Sequence, residues 1–276
     1  MSLQYISFCS GSSGNASYLL SDGVGLLIDA GISLRKLKQH FSTYGLSQAA
    51  PAALLLTHDH TDHAKGVGAI SAHFHLPVYG TERVHKSIDA NHHVAKKVPV
   101  DCRVTFSPGD TFTIGPFRVT TFHVPHDSAE NVGYHIEAEG KHFVLLTDVG
   151  HFTDDMIPHV QAATHLVVEA NYDPVMLSLS PYPLRLKNRI LAPNGHTSNE
   201  ETAQFLIAHL SPAHIRQLWL CHLSAINNRP QKALDTIMVR LQEAGLNVQT
   251  PATPQPGALL VDTLPRHTPS LLTDLL

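Results

Sequence analysis

The chain has 276 residues, 43% of them hydrophobic, with a formal net charge of −4; it can bury a large core, and its balance excludes coating nucleic acid by bulk positive charge. No run approaches the ~18 continuous apolar residues of a membrane helix, and the opening MSLQYISFCSGSSG lacks the basic and apolar regions of a secretion signal. Cys9, Cys102 and Cys221 are odd in number and scattered, which points away from a disulfide framework and toward the cytoplasm, whereas 21 histidines suit metal ligation.

In chain order, LQYISFC, ASYLLS and GLLIDAG predict strands separated by Gly/Ser/Asn turns. A helix around Leu34–Phe41 leads to the apolar run ALLLT, residues 53–57, and then to HDHTDH. AKGVGAISAHF predicts a helix weakened by Gly66 and Gly68. PVYGT, RVTFS, TFTI, FRVTTFHV, GYHIEAEG, KHFVLLTD and THLVVEA predict a second series of strands. HTSNEETAQFLIAHL opens with a capping box, Ser198 to Glu201, and continues with Ala203, Leu206, Ile207 and Leu210 at helical spacing. After the strand QLWLC, Pro230 opens a helix that Gly245 closes, and ALLVD is a last strand. Strands in two groups, with helices in each half, predict a layered α/β sandwich. One domain over 1–264 is expected, with a tail, 265–276, to which no structure is assigned.

The chemistry concentrates in HDHTDH. Alternate residues at a strand end share a side, so His58 and His60 face together, while a turn into a helix brings Asp62 and His63 from another direction. Imidazole and carboxylate ligands suit zinc, manganese or iron, and a pair of ions needs more ligands than this one corner supplies. A surface turn with incidental histidines is the alternative; it accounts for a single His better than for H-x-H-x-D-H behind a buried strand.

With its upstream LLIDAG, this motif resembles the metallo-β-lactamase fold superfamily, and the resemblance runs from about residue 3 to 262. It implies an αβ/βα four-layer sandwich with a metal site along one edge. FHVPHDSAENVGYHI then supplies His126, LLTDVG supplies Asp148 and WLCHLSAINN supplies His222. Carried over, one ion is held by His58, His60 and His126, the other by Asp62, His63 and His222, with Asp148 bridging. Asp62 counts among the catalytic groups too. Asp29 of LLIDAG would hold ligand side chains by hydrogen bonds, although as a residue it also suits a strand-end turn. His123 competes with His126; the resemblance favours His126, before the Gly133–Tyr134 pair, and leaves His123 as a packed or supporting residue.

Two divalent ions (zinc or manganese, with iron compatible) imply hydrolysis by a metal-held hydroxide. GHTSNEE, residues 195–201, resembles the histidine motif of the phosphodiesterase branch, in which a non-ligand histidine assists the leaving oxygen. That would be His196, oriented by Glu169. Arg185 and Lys187, with Arg189, recur at every second residue of PYPLRLKNRIL and either meet phosphates from one face or form a solvated basic strand. Ser12, Ser13 and Asn15 of SGSSGN line a phosphate site or merely make a tight turn. With Asn228 of HLSAINN, these segments most resemble the YycJ/WalJ-type subgroup, associated with DNA exonuclease activity. Only 22 positions separate His126 from Asp148, leaving no room for the extended arm of tRNA-processing relatives. The expected partner is DNA or a nucleotide phosphodiester, not a membrane. A thioester or lactone hydrolase is the rival enzyme, and a non-catalytic metal-stabilised scaffold the rival class.

Overall fold

The computed structural model describes residues 2–46, 51–252 and 256–276. Strands β1 (Leu3–Cys9), β2 (Ala16–Ser21), β3 (Val24–Ile28), β4 (Pro51–Leu55), β5 (Val78–Thr81) and β6 (Arg103–Phe106) lie side by side in one sheet. They are antiparallel as far as β3 and parallel from β3 to β6. The second sheet contains β7 (Thr111–Ile114), β8 (Phe117–His123), β9 (Val132–Ala138), β10 (Lys141–Leu146), β11 (His165–Glu169), β12 (Gln217–Cys221), β13 (Val248–Gln249) and β14 (Leu259–Thr263). Its β10, β11, β12 and β14 run parallel.

Both faces of the central strands are buried, which is why they read as continuous apolar runs. In β4 and β10, Leu55, Phe143 and Leu145 enter the core between the sheets, whereas Leu54, Val144 and Leu146 face helices. Helices α1 (Leu34–Thr43), α2 (Thr61–Ala64), α3 (Val67–Phe74) and α4 (Glu82–Ala90) follow the first sheet's strands, and α1, α3 and α4 pack on its outer face through Leu37, Phe41, Ile70, Val84 and Ile88. Helices α5 (Ile157–Ala162), α6 (Pro174–Leu179), α7 (Leu184–Ile190), α8 (Asn199–His209) and α9 (Pro230–Glu243) belong to the second half. Val160, Leu206 and Ile237 of α5, α8 and α9 close its outer core. The result is the expected helix–sheet–sheet–helix arrangement. No helix among the described residues is long and apolar enough to cross a membrane.

Three elements differ from the sequence reading. The helix expected over AKGVGAISAHF is interrupted between α2 and α3, and at Gly66, which caps α3, a Cβ would lie 1.9 Å from the Ile32 carbonyl oxygen, so the chain passes too close there for a side chain. The basic segment expected to be extended is helix α7: Pro183 caps it, and Ile190, buried with Tyr172 and Leu177, has Leu186 packed one turn away. The alternation of Arg185, Lys187 and Arg189 therefore does not put the three on one face. Finally, the unassigned tail contributes β15 (Thr273–Leu275), which pairs with Leu3–Tyr5 and inserts Leu275 into the inter-sheet core. Three residues are too few to show a strand pattern, but they cover the edge of β1.

Candidate metal centre

The parallel strands of both sheets deliver their C-terminal ends to one edge. Asp29 follows β3, Thr57 and His58 follow β4, Asp148 follows β10, Glu169 ends β11 and His222 follows β12. Asp29, Asp148 and His222 sit at φ +61°, +54° and +50°. This left-handed conformation is costly outside glycine, at ~1–3 kcal/mol per residue, and persists where the surroundings impose it.

Each histidine is oriented through one ring nitrogen. His63 Nδ1 donates to Asp29 Oδ2 at 2.7 Å, and the backbone N–H of Thr57 donates to Asp29 Oδ1 at 2.8 Å. His58 Nδ1 meets the Thr57 hydroxyl at 3.0 Å, and that hydroxyl donates to Asp29. His126 Nδ1 donates to the Gly195 carbonyl at 3.0 Å, and His222 Nδ1 to Glu169 Oε1 at 2.9 Å. His60 is turned the other way, its Nε2 3.2 Å from the Asp127 carbonyl. A ring whose Nδ1 donates presents the Nε2 lone pair as a ligand, and this supporting layer fixes that choice.

The remaining nitrogens converge. His58, His60 and His126 form one set able to hold an ion, and Asp62, His63 and His222 form another. Asp148, 1% exposed, lies 3.1 Å from His63 Nε2, 3.2 Å from His222 Nδ1 and 3.7 Å from His126 Nε2. The fit to cations is visible in what lacks a partner: Nε2 of His58, His126 and His222 are all buried without a hydrogen bond. Each such atom costs ~1–3 kcal/mol when left bare, a cost that coordination removes.

The charges agree. Burial would lower both His63 and His222. Asp148, Asp29 and Asp62 nevertheless lift His63 well above the ordinary range, and Asp148, with the neighbouring Asp62 and Glu169 carboxylates, lifts His222 to about 10. The carboxylates thus favour the protonated form of both imidazoles, and a cation competes with those protons. Metal affinity should therefore rise with pH and weaken as pH falls below about 10, by up to ~10-fold per pH unit for each proton displaced. Calorimetric titration in buffers of different ionisation enthalpy measures the protons released. Uptake without proton release would contradict this charge arrangement.

His196 stands beside the ligands and belongs to neither set of three. Its ring centroid is 5.0 Å from that of His126 and 5.2 Å from that of His222. Its Nδ1 donates to Glu169 Oε1 at 2.9 Å, which leaves Nε2 for the site. Glu169 is fully buried and also accepts from the backbone N–H groups of Val149 and Thr197. Burial would raise its carboxyl, but His196, together with hydrogen bonds from His196 and His222, holds it down at about 2. Glu169 and His196 could join Asp148 and His222 around an ion. With four donors already on Glu169, an orienting role fits better.

The expected substrate contacts fare unevenly. Ser12 and Ser13 are exposed, with Ser13 Oγ 3.1 Å from His267 Nδ1. Asn15 is buried and lines no open phosphate site: its Nδ2 lies 2.8 Å from His63 Nε2 and 3.2 Å from Asp62 Oδ2. Asn228 is also buried, and its amide donates to Ala170 O and Asn199 Oδ1, both at 2.8 Å, so it ties the end of β11 to α8. Arg185 is exposed, and Lys187 donates to the Ser178 carbonyl. The cation of α7 near the metal ligands is Arg189, held by Asp127, whose Oδ1 is 3.4 Å from His126 Nε2. His123 is exposed at the end of β8, neither packed nor supporting. Sequence reasoning missed Thr57, Asp127 and Asn171, whose Nδ2 donates to the His222 carbonyl at 2.8 Å. Asp127, adjacent to His126, was the one with a usable signal.

The family model described as beta-lactamase superfamily domain matches residues 25–222. The chain is 35% identical over 248 residues to exodeoxyribonuclease YycJ of Bacillus anthracis, covering 90% of this chain and 92% of the relative. It is 34% identical over 245 residues to exodeoxyribonuclease WalJ of Streptococcus pneumoniae serotype 2, covering 89% and 90%. The crystal structure of the metallo-beta-lactamase fold protein YhfI from Bacillus subtilis superposes with a TM-score of 0.65 at 18% identity, covering 97% of this chain and 99% of that one.

Proposed function

The chain belongs to the beta-lactamase superfamily and has the metallo-β-lactamase fold, and from that premise we propose that it is a metal-dependent DNA exonuclease. Two ions, zinc or manganese with iron compatible, would be held by His58, His60 and His126 and by Asp62, His63 and His222, with Asp148 between them. When bound, such ions supply Lewis acidity and lower the pKa of water toward neutrality. The names of the two exodeoxyribonuclease relatives support DNA as the substrate.

The observation that carries the reading is the His196–Glu169 pair at the edge of the ligand sets. Breaking a phosphodiester releases an alkoxide, which needs a proton or a nearby positive charge, and a positioned imidazole supplies one. Glu169 fixes the tautomer and direction of His196 while also holding His222, so one buried carboxylate sets both the leaving-group histidine and a ligand. A thioester releases a far less basic thiolate. Hydrolysis of a small thioester shares the ligand sets but gives His196 less to do; a lactone also releases an alkoxide, so the substrate comparison separates it.

The test uses linear duplex DNA labelled separately at each 5′ end, with Mn²⁺ or Zn²⁺, beside a thioester and a lactone. Stepwise, metal-dependent loss of nucleotides is the expected result. Turnover of the thioester or lactone with intact DNA under every metal would overturn the proposal.

A further inference from the structure

A second concave surface borders the loop 10–15, and none of the residues lining it belongs to the metal-ligand sets. It is a cleft of about 210 Å³ lined by Ser13, Ser33, Lys36, Lys65, Arg266 and His267, together with small and apolar residues and no carboxylate. In a chain of net charge −4, a cleft whose charged side chains are Lys36, Lys65 and Arg266 concentrates anions. Its four basic side chains come from three separate segments. Lys36 belongs to the first turn of α1, which contains no acidic residue and is capped by Ser33. Lys65 follows His63 by two positions and donates to the Ser13 carbonyl at 2.5 Å. Arg266 and His267 arrive from the tail, Arg266 anchored on the Ser224 carbonyl at 2.7 Å and His267 on Ser13 Oγ.

The cleft and the metal centre share a wall. Asn15, two residues beyond Ser13, touches His63 and Asp62 on the other side of the loop. At its base the chain segments pack backbone to backbone: a Cβ at Gly14 would lie 2.4 Å from the Gly31 carbonyl oxygen, and one at Gly31 would lie 1.7 Å from that of Asp62. Burial pushes the Cys9 thiol at this base up to about 11, against the pull of Lys65, Lys36 and His63, so the cleft cations and a metal-facing histidine act on the same atom.

We propose that this cleft binds a phosphate group of the substrate strand other than the one being cut, an assignment that rests on the proposed nuclease activity. Anchoring a neighbouring phosphate fixes the strand's register at the metal centre without reading its sequence.

The assignment is tested by fluorescence anisotropy of a short single-stranded oligonucleotide, bearing either a 5′-phosphate or a 5′-hydroxyl, with the protein in excess chelator so that nothing is cut. The variants are Lys36→Gln/Lys65→Gln and, as a control, Arg35→Gln, which removes an exposed charge of α1 outside the cleft. The double variant should bind at least ~10-fold more weakly, and its slope of log affinity against log salt should be shallower by ~0.7 for each phosphate no longer neutralised. Arg35→Gln should stay within about twofold, its one charge lying outside the proposed phosphate site. A preference for the 5′-phosphate that vanishes in the double variant assigns the terminal phosphate; equal weakening for both oligonucleotides assigns an internal one. Either result supports the cleft. Unchanged affinity and slope in a double variant that melts like the parent would overturn it, and if the parent still degrades DNA, the cleft falls alone. A parent that binds no oligonucleotide and turns over only thioester or lactone removes both the cleft and the nuclease reading.

Discussion

Replacing His196 with alanine is expected to lower DNA turnover by ~10²–10⁴-fold, the range for a positioned proton donor. The loss should be selective. Bis(p-nitrophenyl) phosphate releases a stabilised anion that needs little protonation, so its hydrolysis should fall by no more than about tenfold. The geometry behind this contrast is the single hydrogen bond of 2.9 Å from His196 to Glu169, with the ring beside His126 and His222 but in neither of the two sets of three ligands. Metal content and melting temperature should stay close to the parent's, since neither ion would depend on this side chain. Steady-state kinetics on both substrates decides the matter. Equal losses on the two would remove His196 from leaving-group chemistry and make it a packing residue.

Asp148→Asn should be more severe, because it strikes the ligand sets directly. Outer partners of metal ligands typically cost 10–100-fold when lost, so removing a buried carboxylate that lies against His63, His126 and His222 should cost more than ~100-fold on every substrate. Unlike the His196 variant, it should fail on the activated diester as well. Elemental analysis of purified protein should find fewer ions per chain than in the parent. Full metal content with turnover within about tenfold of the parent, far above the loss expected of a ligand, would rule out a bridging role for Asp148.

Much of this centre was legible because its residues cluster locally. ALLLT reads as a strand buried on both faces, and HDHTDH follows it at a turn, so four of the ligand side chains lie within six positions. His126 was separable from His123 only through the resemblance; the structure shows why, since β8 ends at His123 and the chain needs three more residues to reach the site. Pairings across long separations were less visible. Nothing in Asn228 announces that its amide closes on Asn199 and Ala170, nor in Asn15 that it turns toward His63. The misreading of Arg185, Lys187 and Arg189 has a different origin: a seven-residue amphipathic segment fits a period of two or of 3.6, and the burial of Ile190 against Tyr172 decides for the helix.

The left-handed turns at Asp29, Asp148 and His222 bear on how the protein would lose its ions. These three positions keep a conformation they do not intrinsically favour, and after Asp29 and Asp148 the next residue is held from across the edge. The Ala30 amide is bound to the His63 carbonyl at 2.7 Å and the Val149 amide to Glu169 Oε2 at 2.9 Å. Stripping the cations would leave the turns facing buried imidazole nitrogens without a partner, while the sheets behind them stay packed. Loosening should therefore begin at these strand tips and stop short of the strands themselves, so that exchange of the Ala30 and Val149 amides reports metal occupancy well before the fold gives way.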